Sequence, residues 1–268
     1  STELHSWHLP ASELTKRHPV TLRGLLSMTS GIGVHGFEGY EPGEPLPNLN
    51  QILDGSPPAH PLPVRVETVP GSEFFYSGGG YEIVEALIQD ATGRSFAAVA
   101  DQLVFQPMAL RDSLFAQPLP KDRLSQAAIG RHRDGDPLPG GSRIQPELAA
   151  AGLWSMPSDL ARLLIDLSAS YRGEFGHLLK PSTAQAMFTH QNGRLYGLGV
   201  AIGGSGTSLV AGKAGENLGF QGYLLIFPET GQGIVVMTNS ERGTVLAKAL
   251  IWRAAVVYRW PTLSELPD

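Results

Sequence analysis

The sequence predicts an α+β fold: an antiparallel sheet with a covering C-terminal helix, plus a mostly helical, loop-rich subdomain. Three observations carry that expectation. Up to about residue 188 the apolar residues recur at helical spacing, between stretches rich in proline and glycine. From Leu195 the pattern changes to short β-rich segments separated by turn residues. Thr244 to Tyr258 then returns to a helical period and stops before Pro261. Helices, then strands, then one helix to cover them is an α+β order. The 268 residues suffice for a substantial core. We expect residues 1–194 to form the helical, loop-rich part and 195–268 the strands and closing helix, together one domain.

The elements follow in order. Residues 1–19 read as an irregular lead-in. Val20 to Met28 reads as a short helix, with Thr21 as N-cap and Leu22, Leu25 and Leu26 inward. From Val34 to Pro63 seven prolines make the chain loop-like, interrupted by a short helix near Asn48 to Leu53. A loop of that length usually shapes or covers a site. Behind Gly78-Gly79-Gly80, the residues Tyr81, Val84, Leu87, Ile88 and Ala91 fall on one helical face, and Gly93 stands where a C-cap belongs. Phe96 to Leu103 reads as a helix, Asp112 to Phe115 as a short strand, and Ala127 to Gly130 as strand-like. Pro157 opens a helix with Leu160, Leu163, Leu164 and Leu167 inward, and Pro181 starts another through Phe188. Tyr196 to Ile202, Ser208 to Ala211, Phe220 to Phe227 and Gly233 to Thr238 are the expected strands. Pro228-Glu229-Thr230-Gly231 makes the last two a hairpin. In the closing helix Leu246, Leu250, Ile251, Ala254, Val257 and Tyr258 are expected to face inward.

Composition removes several function classes. Twenty Lys and Arg against 25 Asp and Glu give a formal charge of −5, and no basic run suggests nucleic acid. Without cysteine there is no disulfide, thiol nucleophile or Cys-based metal site. No H-E-x-x-H pairs the eight histidines, so no metal or other cofactor is expected. No apolar run reaches membrane-spanning length. Gly31-Ile32-Gly33-Val34-His35-Gly36 matches G-x-G-x-x-G by letter. It follows a helix instead of a strand, which excludes a dinucleotide loop. Around Gly212-Lys213, Thr207 and Ala214 break the phosphate-loop pattern, and no G-x-S-x-G elbow occurs.

Two stretches carry candidate chemistry. The first is Pro70 to Tyr81, where three glycines directly follow an aromatic run. Bare backbone there permits close approach of another chain or a ligand. Tyr76 is held on that turn, either as a core aromatic or as a phenol able to shuttle a proton beside cations. The second is Gly212-Lys213-Ala214-Gly215-Glu216-Asn217, expected to join the Ser208 and Phe220 strands. Lys213 is either a surface lysine on a turn or an ammonium at a strand edge beside a reacting centre. The residues after it offer N–H groups to an oxyanion or a substrate carbonyl.

Together these pieces resemble the penicillin-recognising serine hydrolases, in particular the class C β-lactamase-like group with its esterases and D-aminopeptidases. The stretches that carry the resemblance are Val20 to Gly31, Pro70-Gly71 with Phe75-Tyr76-Ser77-Gly78, and Ala151 to Ser155 with Asp159-Leu160. Further along come Gly212 to Gly215 with Gly219-Phe220, and Val236-Met237-Thr238-Asn239. They keep the family's order from residue 20 to about 260. Such enzymes acylate the Ser of an S-x-x-K motif, use the Tyr of Tyr-x-Asn as proton shuttle, and present a Lys-Thr-Gly or His-Gly-Gly strand. The resemblance implies that Tyr76 and Lys213 are catalytic. It places Gly78, Ala214, Gly215, Glu216 and Asn217 at the substrate, with the Glu216 N–H as second oxyanion donor.

Departures refine that implication. Gly78 stands where Asn would anchor a substrate amide, and Ala214 lacks the hydroxyl that binds a β-lactam carboxylate. Both favour an ester or small amide over a β-lactam. Met28 replaces a His of many relatives. The residues three before the five lysines are Glu13, Pro118, His177, Val210 and Val245, so S-x-x-K does not occur. In the family that motif lies upstream of the Leu-Leu-Ser segment. With Ser1 as first residue, the expectation is that the nucleophile and the first sheet strands belong to an upstream segment, covalent or nicked. The chain alone is then expected to be inactive, with an unpaired sheet edge. A non-catalytic protein of this fold, binding a peptide or cell-wall fragment, is the competing reading. The family's habit implies a periplasmic or extracellular location.

Overall fold

In the computed structural model, which describes residues 4–174, 176, 178–191 and 195–262, the chain forms two units, each drawing on separated stretches of sequence. The first comprises Ser1–Gln102, Leu114–Gln126 and Arg143–Trp154, the second Leu103–Ser113, Ala127–Ser142 and Ser155–Asp268.

In the first unit the first four helices each begin on a side chain that accepts from their own exposed amides. Thr21 Oγ1 accepts from the Gly24 N–H ahead of α1 (Leu22–Leu26). Asn48 and Gln51 form a reciprocal capping box on α2 (Leu49–Asp54). Ser77 Oγ accepts from the Gly80 N–H at 2.8 Å to open α3 (Gly78–Thr92), which ends at Gly93 with φ +65°. Ser95 caps α4 (Phe96–Ala100), which runs on into a π-helical turn, Asp101–Phe105, ahead of Pro107. Farther along, β1 (Leu114–Phe115) pairs antiparallel with β2 (Leu153–Trp154), and the single turn α5 (Leu148–Ala151) precedes β2. The core is Trp7, Leu25, Ile32, Leu53, Val64, Ile83, Val84 and Ala86, with α3 at its centre. Leu22, expected inward, is 47 % exposed.

The second unit is a four-stranded antiparallel sheet with helices on both faces. α6 (Pro157–Tyr171) and α7 (Pro181–Met187) precede β3 (Ala201–Gly203), β4 (Val210–Asn217), β5 (Phe220–Ile226) and β6 (Gly233–Thr238), arranged in that order across the sheet. α8 (Gly243–Val257) closes it. Alternation along β4 and β5 sorts the two faces. Ala211 and Ile226 join Leu164, Leu167, Phe188 and Ile202 on the α6 side. Val210, Leu225 and Phe227 join Val236, Ala247, Ile251, Ala255 and Trp260 on the α8 side.

Three sequence expectations are corrected here. The Tyr196 segment is a bridge from Tyr196 to Ala201 followed by the short β3, not one strand from 196 to 202. Residues 127–130 form no strand. α8 (Gly243–Val257) shifts its inner face: Ile251 is buried as expected, but Ala247 and Ala255 join it, whereas Leu246 is 56 % and Tyr258 68 % exposed. The small Ala247 and Ala255 let the helix approach the sheet closely. Among the described residues no helix is long and apolar enough to cross a membrane.

Candidate active site

Tyr76 lies just ahead of α3, in a turn fastened to the loop after α1. The Phe75 N–H donates to Met28 O at 2.7 Å and the Ser77 N–H to Met28 Sδ at 3.4 Å. Ser77 Oγ donates to Gly33 O at 2.7 Å, while Gly78 N–H and Gly79 N–H donate to His35 O and Val34 O, both at 3.0 Å. Gly79 is required by this approach, because a Cβ there would stand 2.9 Å from Gly33 O. Two residues of the supporting loop adopt the left-handed region without being glycine: Met28 at φ +56° and Val34 at φ +61°. For a β-branched residue such as Val34 this is rare and strained, and strain of that kind gathers at functional sites.

On this base the Tyr76 ring is half-buried, with the exposed His35 imidazole 4.8 Å from it between centroids. Burial, and then the nearby Tyr76, push the Tyr81 phenol well above its usual range. Tyr81 therefore stays protonated and does not compete as a base.

The Lys213 segment is a strand, not the connection the sequence suggested. All of Gly212 to Asn217 lies in β4, paired residue by residue with Phe220 to Leu225. Ile202 donates its N–H to Leu195 O, away from β4, so the Ile202–Ala211 pair is not hydrogen-bonded and Ala211 turns its backbone groups to β5. Alternation then directs those of Lys213 and Gly215 to β5 as well, and those of Ala214 and Glu216 to the opposite edge. β3 pairs only with Val210 to Gly212, so the Ala214 and Glu216 amides point out along the edge beyond it. The Lys213 ammonium donates to the Ala214 carbonyl. Side chains alternate too: Lys213 and Asn217 share the α6 face, Ala214 and Glu216 the α8 face. Glu216 Oε1 reaches Thr244 Oγ1 and Gln221 Nε2, both at 3.4 Å.

Tyr76 and Gly78 thus belong to the first unit, and Lys213, Ala214, Gly215, Glu216 and Asn217 to the second. Sequence reasoning named Met28 only as a replacement for a His and missed Val34, His35 and Phe37 as partners of the turn, for which the tight glycine spacing of residues 31–36 was the signal. Also unforeseen, Asp159 is 1 % exposed and accepts from the Asp112 N–H at 3.1 Å, Ser113 Oγ at 3.0 Å and Arg162 Nη1 at 2.8 Å. That network fastens the start of α6. No group of acidic or histidine side chains among the described residues is arranged to hold a metal ion.

This arrangement, a tyrosine turn on a glycine-opened helix and a Lys-bearing strand with an open edge, can be compared with known proteins. The family model described as Beta-lactamase matches residues 6–259. The chain belongs to the beta-lactamase family. No curated protein matches the sequence. Among solved structures it is similar to the octameric penicillin-binding protein homologue from Pyrococcus abyssi, at 20 % identity and TM-score 0.65, over 96 % of this chain and 62 % of that one. It is similar to the beta-lactamase/D-alanine carboxypeptidase from Yersinia pestis, at 18 % and 0.68, over 96 % and 75 %. The D-amino acid amidase from Ochrobactrum anthropi SV3 follows at 19 % and 0.67, over 89 % and 71 %. The first two solved structures it matches are longer, and the chain spans 62 % and 60 % of them. At these identities the likeness is one of fold, and the family is hydrolytic.

Proposed function

We propose that this chain is the greater part of a serine hydrolase that cleaves an ester or small amide through an acyl-enzyme. Tyr76 is the proton shuttle, and Lys213 is the catalytic cation carried by the β4 strand. The Glu216 N–H is one donor to the tetrahedral oxyanion. The nucleophilic Ser, within a Ser-x-x-Lys motif, stands on a segment upstream of Ser1. In the acylation step the Ser oxygen bonds to the substrate carbonyl carbon. Its proton passes through Tyr76 to the leaving oxygen or nitrogen, and water later releases the acid. The observation that carries this reading is the free edge of β4, where the Glu216 amide points away from β5. Gly78 and Ala214 supply no amide anchor and no hydroxyl, which favours simple esters or small amides over β-lactams. Two further features agree with an upstream segment: β6 is an edge strand among the described residues, and α8 exposes Val245, Trp252 and Val257. As in the family, the enzyme works in the periplasm or outside the cell.

The test is to express the gene product with its upstream residues and, separately, residues 1–268. Both are treated with a serine-directed phosphonate, followed by intact-mass measurement and peptide mapping. One adduct on an upstream Ser, and none on residues 1–268, is expected. An adduct on a Ser of residues 1–268 refutes the upstream nucleophile. Neither adduct nor ester hydrolysis in the longer protein favours the alternative, a non-catalytic binder of peptides or cell-wall fragments.

A further inference from the structure

The loop that holds the tyrosine turn also lays an aromatic surface beside it. A Cβ built on Gly78 would stand 3.0 Å from Phe37 Cε2 and 3.2 Å from His35 O. The Phe37 ring therefore covers the bare Cα two residues beyond Tyr76, in the space that any side chain at position 78 would need. Phe37 is only half-buried, so part of its ring remains open. On the neighbouring side the exposed His35 ring lies 4.8 Å from the Tyr76 ring, tilted by 45°. Both rings ride on residues 33–37, fixed to the start of α3 through Ser77 Oγ to Gly33 O, Gly79 N–H to Val34 O and Gly78 N–H to His35 O. Val34 is held at φ +61° in the middle of it. A loop with that many backbone anchors presents its rings in one place, and a pre-set apolar surface discriminates by size and polarity.

From this we infer that Phe37, with His35, selects the acyl group of the substrate, favouring a neutral aromatic or extended apolar acyl chain. The inference rests on the proposed function, in which Gly78 stands where an amide-anchoring side chain would be. The Phe37 ring takes that place and offers a face in exchange for hydrogen bonds. Polar amide-bearing acyl groups lose a partner there. Flat apolar ones gain contact area next to the phenol that moves the proton. Phe37 acts on binding of the acyl group and takes no part in the bond-making steps.

The experiment uses the protein with its upstream residues and p-nitrophenyl esters that share one leaving group: acetate, hexanoate and phenylacetate. Wild type is expected to prefer phenylacetate and hexanoate over acetate in kcat/KM. Phe37→Ala is expected to reduce that preference roughly tenfold to a hundredfold, the range set by a few apolar groups in a pocket. The acetate rate should change less than about threefold. Because the preference is a ratio within one sample, partial unfolding cancels. Phe37→Leu, which keeps apolar bulk, should retain the hexanoate preference and lose that for phenylacetate. Binding of 4-fluorophenylacetamide, followed by fluorine NMR line width, gives a readout without turnover and should weaken in Phe37→Ala. Equal losses on all three esters overturn the inference. So does a wild type with no acyl preference and no binding of the amide. Tyr76→Phe is run alongside. If it leaves every ester untouched, the proposed function fails, whatever Phe37 does. If it lowers all three alike while Phe37→Ala leaves the ratio alone, only the acyl-selection inference fails.

Discussion

At the scale of single residues, Tyr76, the proposed proton shuttle, is kept in place by its neighbours. Its turn is fixed by backbone donors: Phe75, Ser77, Gly78 and Gly79 all donate N–H groups to the 28–35 loop. Removing the oxygen should therefore leave the turn standing. Tyr76→Phe is expected to lower kcat about a hundredfold to ten-thousandfold with the melting temperature nearly unchanged. Wild-type turnover in the folded variant would make Tyr76 a core aromatic only. Met28 shows how a residue read as a substitution gains a role in three dimensions. It is 2 % exposed, and its sulfur accepts the Ser77 N–H that would otherwise be buried without a partner.

At the scale of elements, the first turns of α3 bury two carboxylates, Glu82 and Glu85. Glu85 Oε2 accepts from the Ala149 N–H and Glu82 Oε1 from the Ala150 N–H, each at 3.0 Å, so α3 caps the exposed amides of α5. Glu147 joins them, 1 % exposed, with both carboxylate oxygens lacking a hydrogen-bond partner among the described residues. Burial first, then mutual repulsion, raises Glu82 well above the usual carboxyl range. Burial likewise pushes Glu85 and Glu147 up to about 7 from 4.5. Tyr40 is the other titratable group facing Glu147, and burial raises it too.

The direction of the pH effect follows from these shifts. Below about pH 4.5 these groups are protonated in both folded and unfolded chains and stability is unaffected. Between 4.5 and 7 the unfolded chain releases protons that the folded one keeps, so stability falls as the pH rises through that window. Urea unfolding at pH 5 and pH 8 should show the loss. Glu147→Gln should recover about 1–3 kcal/mol at pH 8 and little at pH 5. Equal stability of that variant and wild type at both pH values would mean that the cluster is paired or hydrated in solution.

α8 supplies a second element-level prediction. Ala247 is fully buried against the sheet, so Ala247→Leu should destabilise by about 1–3 kcal/mol. Leu246→Lys, on the exposed side, should shift stability by about 0.5 kcal/mol or less. Thermal unfolding of the two variants distinguishes this face from the one the periodicity suggested.

At the scale of the whole molecule, the sheet of the second unit has β6 at one edge, and the outer face of α8 carries Val245, Leu246, Trp252, Val256 and Val257 at 41 % exposure or more. The outer edge of a terminal strand and an exposed apolar helix face both promote association. Residues 1–268 expressed alone should therefore self-associate with rising concentration in sedimentation velocity, and adding the upstream segment should reduce it. A concentration-independent monomer for residues 1–268 would show that neither surface needs a cover.

The sequence by itself determined the class of fold, the hairpin of β5 and β6, the position of most helices and the family's motifs around Tyr76 and Lys213. These are local properties: caps, turn residues and apolar periods act over a few residues and can be read where they stand. It did not determine that Lys213 lies within a strand, because small residues at 212–215 carry no period and only pairing with β5 defines them. Nor did it place Ala247 inside and Leu246 outside on an almost uniformly apolar helix. With little contrast around the helix, the closest approach to the sheet selects the buried face. The burial of Glu82, Glu85 and Glu147, and the loop of Met28, Val34, His35 and Phe37 against the tyrosine turn, were decided by tertiary structure alone. Those contacts join residues that are about 40 to 70 positions apart in the chain, and no short-range pattern encodes which distant amide a carboxylate will meet.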